Sequence, residues 1–254
     1  MKGPLAWAIV LIGGALIVVL AIRSPGSQSV TCQSLTCESP TCESDGSCVR
    51  IMPLGDSITQ GMHASYRRPL WTALRDAGWD VDFVGSMNKG YLGRGEVRDY
   101  DSDHEGHWGW FADDVLGRID DWSAQANPDI VLMHIGTNDI GSGQSIRATA
   151  DEVRQIIERL RVQNPGVHVL LAAIIPAAHP QMQEPIREFN RRLATLAATL
   201  DTAASRIIMV DHITGFDAGT DTYDGLHPND EGIRKMSSRW FDALQPLLEA
   251  ASAR

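Results

Sequence analysis

Three separate polar segments of the sequence carry side chains that together suit nucleophilic catalysis. The first is Gly-Asp-Ser at 55–57, the second contains Asn138, and the third has Asp224 three residues before His227. Ser57 would be the nucleophile and His227 its base, with Asp224 holding the imidazole in the tautomer that accepts the serine proton. The Asn138 amide would donate a hydrogen bond to the oxyanion that forms when the serine attacks a carbonyl.

Each of these segments also has an ordinary structural interpretation. An aspartate or serine after a glycine can form a turn or cap a helix by accepting from its free backbone N–H groups, which applies to 55–57 and to 136–139. A single histidine is more often structural than catalytic, and the chain has 8 histidines. The catalytic interpretation therefore depends on whether the fold brings the three segments together.

From residue 49 onward, short apolar runs alternate with amphipathic helical patterns. The predicted strands are 49–54, 81–84, 129–135, 167–175 and 207–210. The predicted helices are 66–77, 111–122, 145–163, 185–200 and 229–250, with Pro246 as a candidate kink in the last, and 85–107 is predicted as a long loop. This alternation predicts a parallel sheet covered on both faces, in a three-layer α/β architecture. Ligands of such folds bind at the carboxyl ends of the strands, where all three polar segments fall.

The composition disfavours several classes of protein. The 254 residues carry a formal net charge of −10. Nucleic-acid binding is therefore not expected, because phosphate contacts need clustered Lys and Arg. The sequence lacks the Gly-x-Ser-x-Gly elbow, the glycine-rich nucleotide loops and the zinc motif His-Glu-x-x-His. The segment 104–107, His-Glu-Gly-His, has the wrong spacing for that zinc motif, and no metal is predicted there.

Residues 1–23 predict export of the chain. Residues 5–22 are nearly all apolar and lie between Lys2 and Arg23. This run is close to the ~20 residues that cross a bilayer and longer than the ~7–15 of a signal-peptide core. An uncleaved membrane anchor and a removed signal peptide both stay open. Either one predicts that the rest of the protein is anchored on the outer side of the membrane or secreted, with membrane contact only through this segment.

Residues 24–48 are predicted to be a linker rich in Ser, Thr, Cys and Pro. The linker contains all four cysteines, which are Cys32, Cys37, Cys42 and Cys48. An even number of cysteines in an exported segment predicts disulfides, whose pairing the sequence leaves open. Intermolecular links or free thiols are the main alternative, and a zinc site is disfavoured by the spacing. The remaining residues, 49–254, are predicted to form the globular domain.

The polar segments 55–57, 136–139 and 224–227 occur in the order of the blocks of the SGNH (GDSL-type) hydrolases, and the sequence resembles that family over nearly all of 49–245. The resemblance implies a flavodoxin-like fold with five parallel strands in the order 2-1-3-4-5. It also implies ester hydrolysis through an acyl-enzyme, with the serine, histidine and aspartate in the roles given above.

The same resemblance implies an oxyanion hole with three donors. These are the backbone N–H of Ser57, the backbone N–H of Gly109 and the side chain of Asn138. Many family members have a small residue before that glycine, whereas this sequence has Trp108. Gly106 therefore stays open as an alternative to Gly109.

Further segments resemble carbohydrate esterase family three, a group similar to acetylxylan esterases. They are residues 51–59, 66–71, 82–86, 104–107 and 134–140. This resemblance implies an acetylated carbohydrate or another small ester as the substrate, a serine mechanism without a cofactor, and no metal. The protein is predicted to be a monomer.

Two aromatic residues and two rival functions complete the predictions. Trp108 and Trp110 would stack on sugar rings of the substrate, or else pack in the core or at the rim of the pocket. One rival function is a lipase- or thioesterase-type hydrolase acting on short acyl esters. The other is a non-catalytic carbohydrate-binding protein.

Overall fold

The computed structural model describes residues 48–63, 65–93 and 100–253. Within these residues, one sheet holds β1 Val49–Gly55, β2 Val81–Phe83, β3 Glu105–Gly106, β4 Ile130–His134, β5 His168–Ala172 and β6 Ile207–Val210. The strands run parallel in the order β2-β1-β4-β5-β6, and the two-residue β3 pairs with the end of β1. The α/β fold and the strand order 2-1-3-4-5 are thus confirmed, with β3 as an addition from the predicted loop 85–107.

The helices cover both faces of the sheet. They are α1 Ser57–Gln60, α2 Arg67–Asp76, α3 Ala112–Leu116, α4 Ile119–Ala126, α5 Thr137–Gly141, α6 Ile146–Gln163, α7 Pro180–Leu200 and α8 Asp230–Ser252. Successive side chains of a strand point to opposite faces. Met52 of β1 accordingly packs in one buried cluster with α3, α4, α6 and α7, whereas its neighbour Ile51 packs in a second cluster with α2 and α8. The three layers of the fold are therefore the sheet and the two groups of helices that these clusters pack against its faces.

Several helix boundaries differ from the prediction for local reasons. The predicted helix 111–122 is divided into α3 and α4 at Gly117, because glycine is a poor helix former. The helix α7 begins at Pro180 instead of Pro185, because proline is favoured in the first helical position. Pro185 then lies inside the helix. The assigned helix α8 continues through Pro246. The short helices α1 and α5 follow strands directly, where the sequence predicts only turns or caps.

Most predictions for the N-terminal part fall outside the described residues. These are the anchor or signal peptide 1–23, nearly all of the linker 24–48, and three of its four cysteines. Cys48, which begins the described range, is disulfide-bonded. Among the helices of the described residues, none is both long and apolar enough to span a bilayer.

Candidate active site

Ser57, His227 and Asp224 form a continuous hydrogen-bonded chain. The Ser57 Oγ lies 2.9 Å from the His227 Nε2, and the His227 Nδ1 lies 2.7 Å from the Asp224 Oδ2. A carboxylate beside Nδ1 requires the proton on that nitrogen, so Nε2 is left to accept from the serine hydroxyl. The fold thus places side chains that are 170 residues apart in sequence in the geometry of a nucleophile, a base and an orienting acid.

The sharp junction between β1 and α1 presents the serine. Ser57 is the first residue of α1, and the Asp56 side chain caps that helix by accepting from the Ile58 N–H at 2.9 Å. A side chain on Gly55 would put its Cβ 2.1 Å from the backbone oxygen of His134, so only glycine fits where β1 passes β4. The Asp56 carboxyl is completely buried, and this burial raises its pKa to about 7.

A tight turn holds the histidine and the aspartate together. The Asp224 Oδ1 accepts from the backbone N–H groups of Leu226 at 3.0 Å and His227 at 2.7 Å, which leaves Oδ2 for the imidazole. Partial burial acts to raise the pKa of Asp224, but the backbone N–H and the imidazole of His227 outweigh it and lower that pKa. The aspartate is therefore a carboxylate at neutral pH, as a partner of the imidazole must be.

The predicted oxyanion donor Asn138 lies in the first turn of α5, directly after β4. Its Nδ2 donates to the backbone oxygen of Trp110 at 2.8 Å. A carboxamide nitrogen carries two hydrogens, so this bond fixes the amide and leaves one hydrogen for an oxyanion. The turn into α5 requires Gly136, which has a φ of +110° and whose Cβ would lie 2.5 Å from the Phe189 ring.

The structure distinguishes the two glycines that the sequence leaves open for the oxyanion hole. Gly106 lies in β3, and its N–H already donates to the His104 Nδ1 at 2.9 Å. Gly109 is exposed in the turn that the Trp110 N–H closes on the His107 oxygen, and its φ is +78°. The geometry therefore favours Gly109, because the Gly106 N–H is occupied.

The chain matches the family of GDSL-like lipases and acylhydrolases over residues 54–235, which include every segment of this site. The chain belongs to that family. A multidomain esterase of Ruminococcus flavefaciens is 29% identical over 232 residues, covering 82% of this chain but 30% of the relative. The chain thus spans less than a third of the length of that relative.

Solved structures show the same likeness. The crystal structure of an acetyl esterase mutant with an acetate ion is 30% identical, covers 80% of this chain and 100% of its own, and superposes with a TM-score of 0.73. A carbohydrate esterase family 3 protein from Talaromyces cellulolyticus is 31% identical, covers 80% and 99% of the two chains, and has a TM-score of 0.73. This GDSL-family chain therefore resembles family 3 carbohydrate esterases, as predicted from its motifs.

Polar residues beside the GDSL-family site have structural partners. The Asp139 carboxylate accepts from the Ala112 N–H at 3.1 Å and so caps α3, and burial raises its pKa. His107 Nε2 lies 2.9 Å from the Glu105 carboxylate. Burial lowers the pKa of His104 well below its ordinary value, which keeps this imidazole neutral with the Gly106 N–H and the Lys89 oxygen as partners. These contacts give the 104–107 segment a structural role.

The two tryptophans of the predicted sugar platform lie in different surroundings. The Trp110 ring stacks on His107 at 4.2 Å and on Trp122 at 5.7 Å, and it packs against the buried core. The Trp108 ring stacks on Tyr91 at 4.3 Å and on the catalytic candidate His227 at 4.8 Å. The packing alternative therefore describes Trp110, whereas Trp108 contacts the proposed base itself.

A cleft of about 800 Å³ opens beside Ser57 and His227 in this GDSL-family fold. Tyr223, which is 54% exposed, lies at this cleft with its ring 5.7 Å from the imidazole. The apolar part of the lining includes Ile58, Met62, Pro69, Leu92, Ile233 and Met236. Tyr223 is not among the predicted site residues, although it directly precedes Asp224 and its position beside the Asp-x-x-His segment is a usable signal.

Proposed function

We propose that this protein is a serine esterase that removes acetyl groups from a carbohydrate ester through an acyl-enzyme. The observation that carries the proposal is the unbroken hydrogen-bonded chain from Ser57 through His227 to Asp224. The acetyl esterase and the family 3 carbohydrate esterase that this chain resembles support the acetyl group and the carbohydrate.

The first step joins the serine to the acyl group. The Ser57 Oγ forms a bond to the carbonyl carbon while His227 Nε2 takes the hydroxyl proton, and Asp224 stabilises the imidazolium. The N–H groups of Ser57 and Gly109 and the amide of Asn138 stabilise the oxyanion. The imidazolium then gives its proton to the departing sugar oxygen. Because the histidine must reach that oxygen, the sugar enters from the cleft on the His227 side.

The second step releases acetate. A water molecule gives a proton to the His227 Nε2 and attacks the acyl carbonyl, and the same donors hold the second oxyanion. The imidazolium returns its proton to the Ser57 Oγ as the ester bond to the enzyme breaks. Apart from this water, the groups that transfer protons and hold the oxyanion in both steps belong to this chain.

The test is acetate release from acetylated xylan and from p-nitrophenyl acetate by the purified protein and its Ser57→Ala variant. We expect Ser57→Ala to lose at least about 10³-fold in kcat, because the nucleophile is removed. The matched control is Ser252→Ala, whose hydroxyl bonds to Leu248 at the far end of α8. A Ser57→Ala variant with activity near that of the wild type would overturn the proposal.

The apolar lining of the cleft favours a second candidate, an esterase for longer acyl chains. Ile58 and Met62 line the cleft on the side of the nucleophile, and Met236 contributes from α8. Comparing kcat/KM for p-nitrophenyl acetate and p-nitrophenyl hexanoate separates the two candidates. A higher kcat/KM for the hexanoyl ester, with no acetate released from any glycan, would favour a lipid-like substrate over a carbohydrate ester.

Export is a further proposal. The apolar run 5–22 and the disulfide-bonded state of Cys48 support it, because disulfides persist mainly in oxidising compartments. A fusion of residues 1–48 to a reporter that is active only outside the cytoplasm tests it, and an inactive, fully expressed reporter would contradict it. The monomeric state and the absence of nucleic-acid binding stay predictions.

A further inference from the structure

Two aromatic rings lie nearly parallel to the imidazole of His227. The Trp108 ring is 4.8 Å away between centroids with an interplanar angle of 16°, and the Tyr223 ring is 5.7 Å away at 12°. The imidazole itself is 14% exposed. The proposed base is thus held by Asp224 at one edge and contacted by two aromatic rings.

Both rings are attached to the site by backbone hydrogen bonds. The Trp108 N–H donates to the Gln60 Oε1 at 2.8 Å, and Gln60 lies in the same short helix as Ser57. The Tyr223 N–H donates to the backbone oxygen of His227 at 3.0 Å. The backbone that carries each ring is therefore tied to the helix of Ser57 at Trp108 and to His227 at Tyr223.

Such rings affect an imidazole in two ways. A nearly parallel ring in contact blocks tilting of the imidazole, which keeps its Nε2 directed at the serine oxygen. The electron-rich face of an aromatic ring also attracts a cation, and His227 becomes a cation each time it takes a proton. Both effects stabilise the transition state more than the bound substrate, so they increase kcat.

We propose that Trp108 and Tyr223 are positioning residues that act on the reaction through the imidazole of His227. This inference rests on the proposed esterase function. It differs from a sugar-binding role in a measurable way. A sugar platform acts on the KM of a glycan, whereas a positioning ring acts on kcat with both the glycan and p-nitrophenyl acetate.

The test compares ring removal with ring retention at position 108. Trp108→Leu is expected to lower kcat about tenfold or more on p-nitrophenyl acetate and on acetylated xylan alike, with KM within twofold. Trp108→Phe keeps a ring beside the imidazole and is expected to restore kcat to within about threefold of the wild type. Tyr91→Leu is the matched control, because it also removes an aromatic ring, one that stacks on Trp108 at 4.3 Å and not on the imidazole among the ring contacts seen for it. This variant is expected to leave kcat within twofold.

Two outcomes at position 108 would overturn the inference. One is an unchanged kcat of Trp108→Leu on p-nitrophenyl acetate, and the other is a loss confined to the KM of the glycan. If Trp108→Leu does not fold, Tyr223→Leu and Tyr223→Phe provide the same comparison at a position that is 54% exposed. There the leucine variant is expected to lose kcat and the phenylalanine variant to keep it, and equal kcat values in the two would also overturn the inference.

The Ser57→Ala variant separates this inference from the proposed function. If Ser57→Ala stays active, the esterase mechanism itself fails. If Ser57→Ala is inactive while Trp108→Leu and Tyr223→Leu keep full kcat, the mechanism stands and only the positioning role fails.

Discussion

The side-chain oxygen of Gln60 accepts a hydrogen bond from the backbone N–H of Trp108 at 2.8 Å. Gln60 ends α1, the four-residue helix that Ser57 begins, and Trp108 directly precedes Gly109. This one bond therefore ties the helix of the proposed nucleophile to the turn that carries the proposed oxyanion donor. Gln60 is 6% exposed, so water does not compete freely for its oxygen.

Replacing Gln60 with leucine is expected to lower kcat on p-nitrophenyl acetate about tenfold. Leucine has a similar size but no acceptor, so the Trp108 N–H loses its partner and the turn loses its attachment to α1. The KM is expected to change less than twofold, because the group that is displaced is the Gly109 N–H, which is proposed to donate to the oxyanion of the transition state. Steady-state kinetics of Gln60→Leu and the wild type measure the changes in kcat and KM separately.

The matched control for this change is Gln155→Leu. Gln155 lies on α6 and its side chain bonds only to Asp151 at the surface among the contacts seen for it. Its kcat should equal that of the wild type. Full activity of Gln60→Leu would show that the turn keeps its position without the bond.

Gly109 and Gly106 are expected to respond differently to substitution by alanine. At Gly109 no atom lies within 4 Å of an added Cβ, so Gly109→Ala folds, at a cost of about 1 kcal/mol for its φ of +78°. Relaxation of that strain moves the N–H and lowers kcat about tenfold. At Gly106 an added Cβ lies 2.5 Å from the Gln60 nitrogen, so Gly106→Ala loses about 2–3 kcal/mol of stability.

Urea denaturation and steady-state kinetics of the two variants together check this prediction. The expected pattern is a near-normal unfolding midpoint with reduced kcat for Gly109→Ala, and a much lower midpoint for Gly106→Ala. A wild-type kcat in Gly109→Ala would show that the Gly109 N–H is not an oxyanion donor. Wild-type stability in Gly106→Ala would show that the contact of its added Cβ with the Gln60 nitrogen is relieved without cost.

The polar segments and the strands before them are predictable from sequence for a physical reason. Buried parallel strands are continuous apolar runs, and their carboxyl ends meet at one edge of the sheet. The positions of Ser57 and Asn138 at that edge follow from this rule, whereas His227 comes only after a longer loop that follows β6, which ends at Val210. The helix α2 is predictable for a different reason, because its apolar residues recur at helical spacing.

The aromatic contacts of His227, the proposed base, are not predictable in this way. Trp108 and His227 belong to different loops that are 119 residues apart, and loop geometry has no periodic signal in the sequence. Trp110, two residues from Trp108, packs against the core instead. Two tryptophans that lie two positions apart in one irregular segment thus have different surroundings, and only the three-dimensional structure distinguishes their roles.

His134 at the end of β4 makes the stability of the fold sensitive to acid. Burial lowers its pKa to about 4, whereas the unfolded chain titrates near 6.5. Between these values the unfolded chain binds a proton that the folded chain does not, so the contribution is complete above pH 6.5 and is lost as the pH falls toward 4. Burial lowers the pKa of the neighbouring His212 in the same sense, and its ring lies 6.1 Å from that of His134.

Buried carboxyl groups oppose this effect, so the histidine must be isolated by comparison with a variant. The pKa of Asp56 is raised to about 7 by burial, which favours the folded state as the pH falls through 7. His134→Gln keeps an acceptor for the Ile175 N–H but does not titrate. From pH 7 to pH 5, the wild type should lose about 2 kcal/mol of unfolding free energy relative to His134→Gln. Urea titrations at both pH values measure this difference. The exposed His179→Gln serves as the control for a histidine-to-glutamine change. A pH-independent gap between the wild type and His134→Gln would show that His134 is not held neutral by burial.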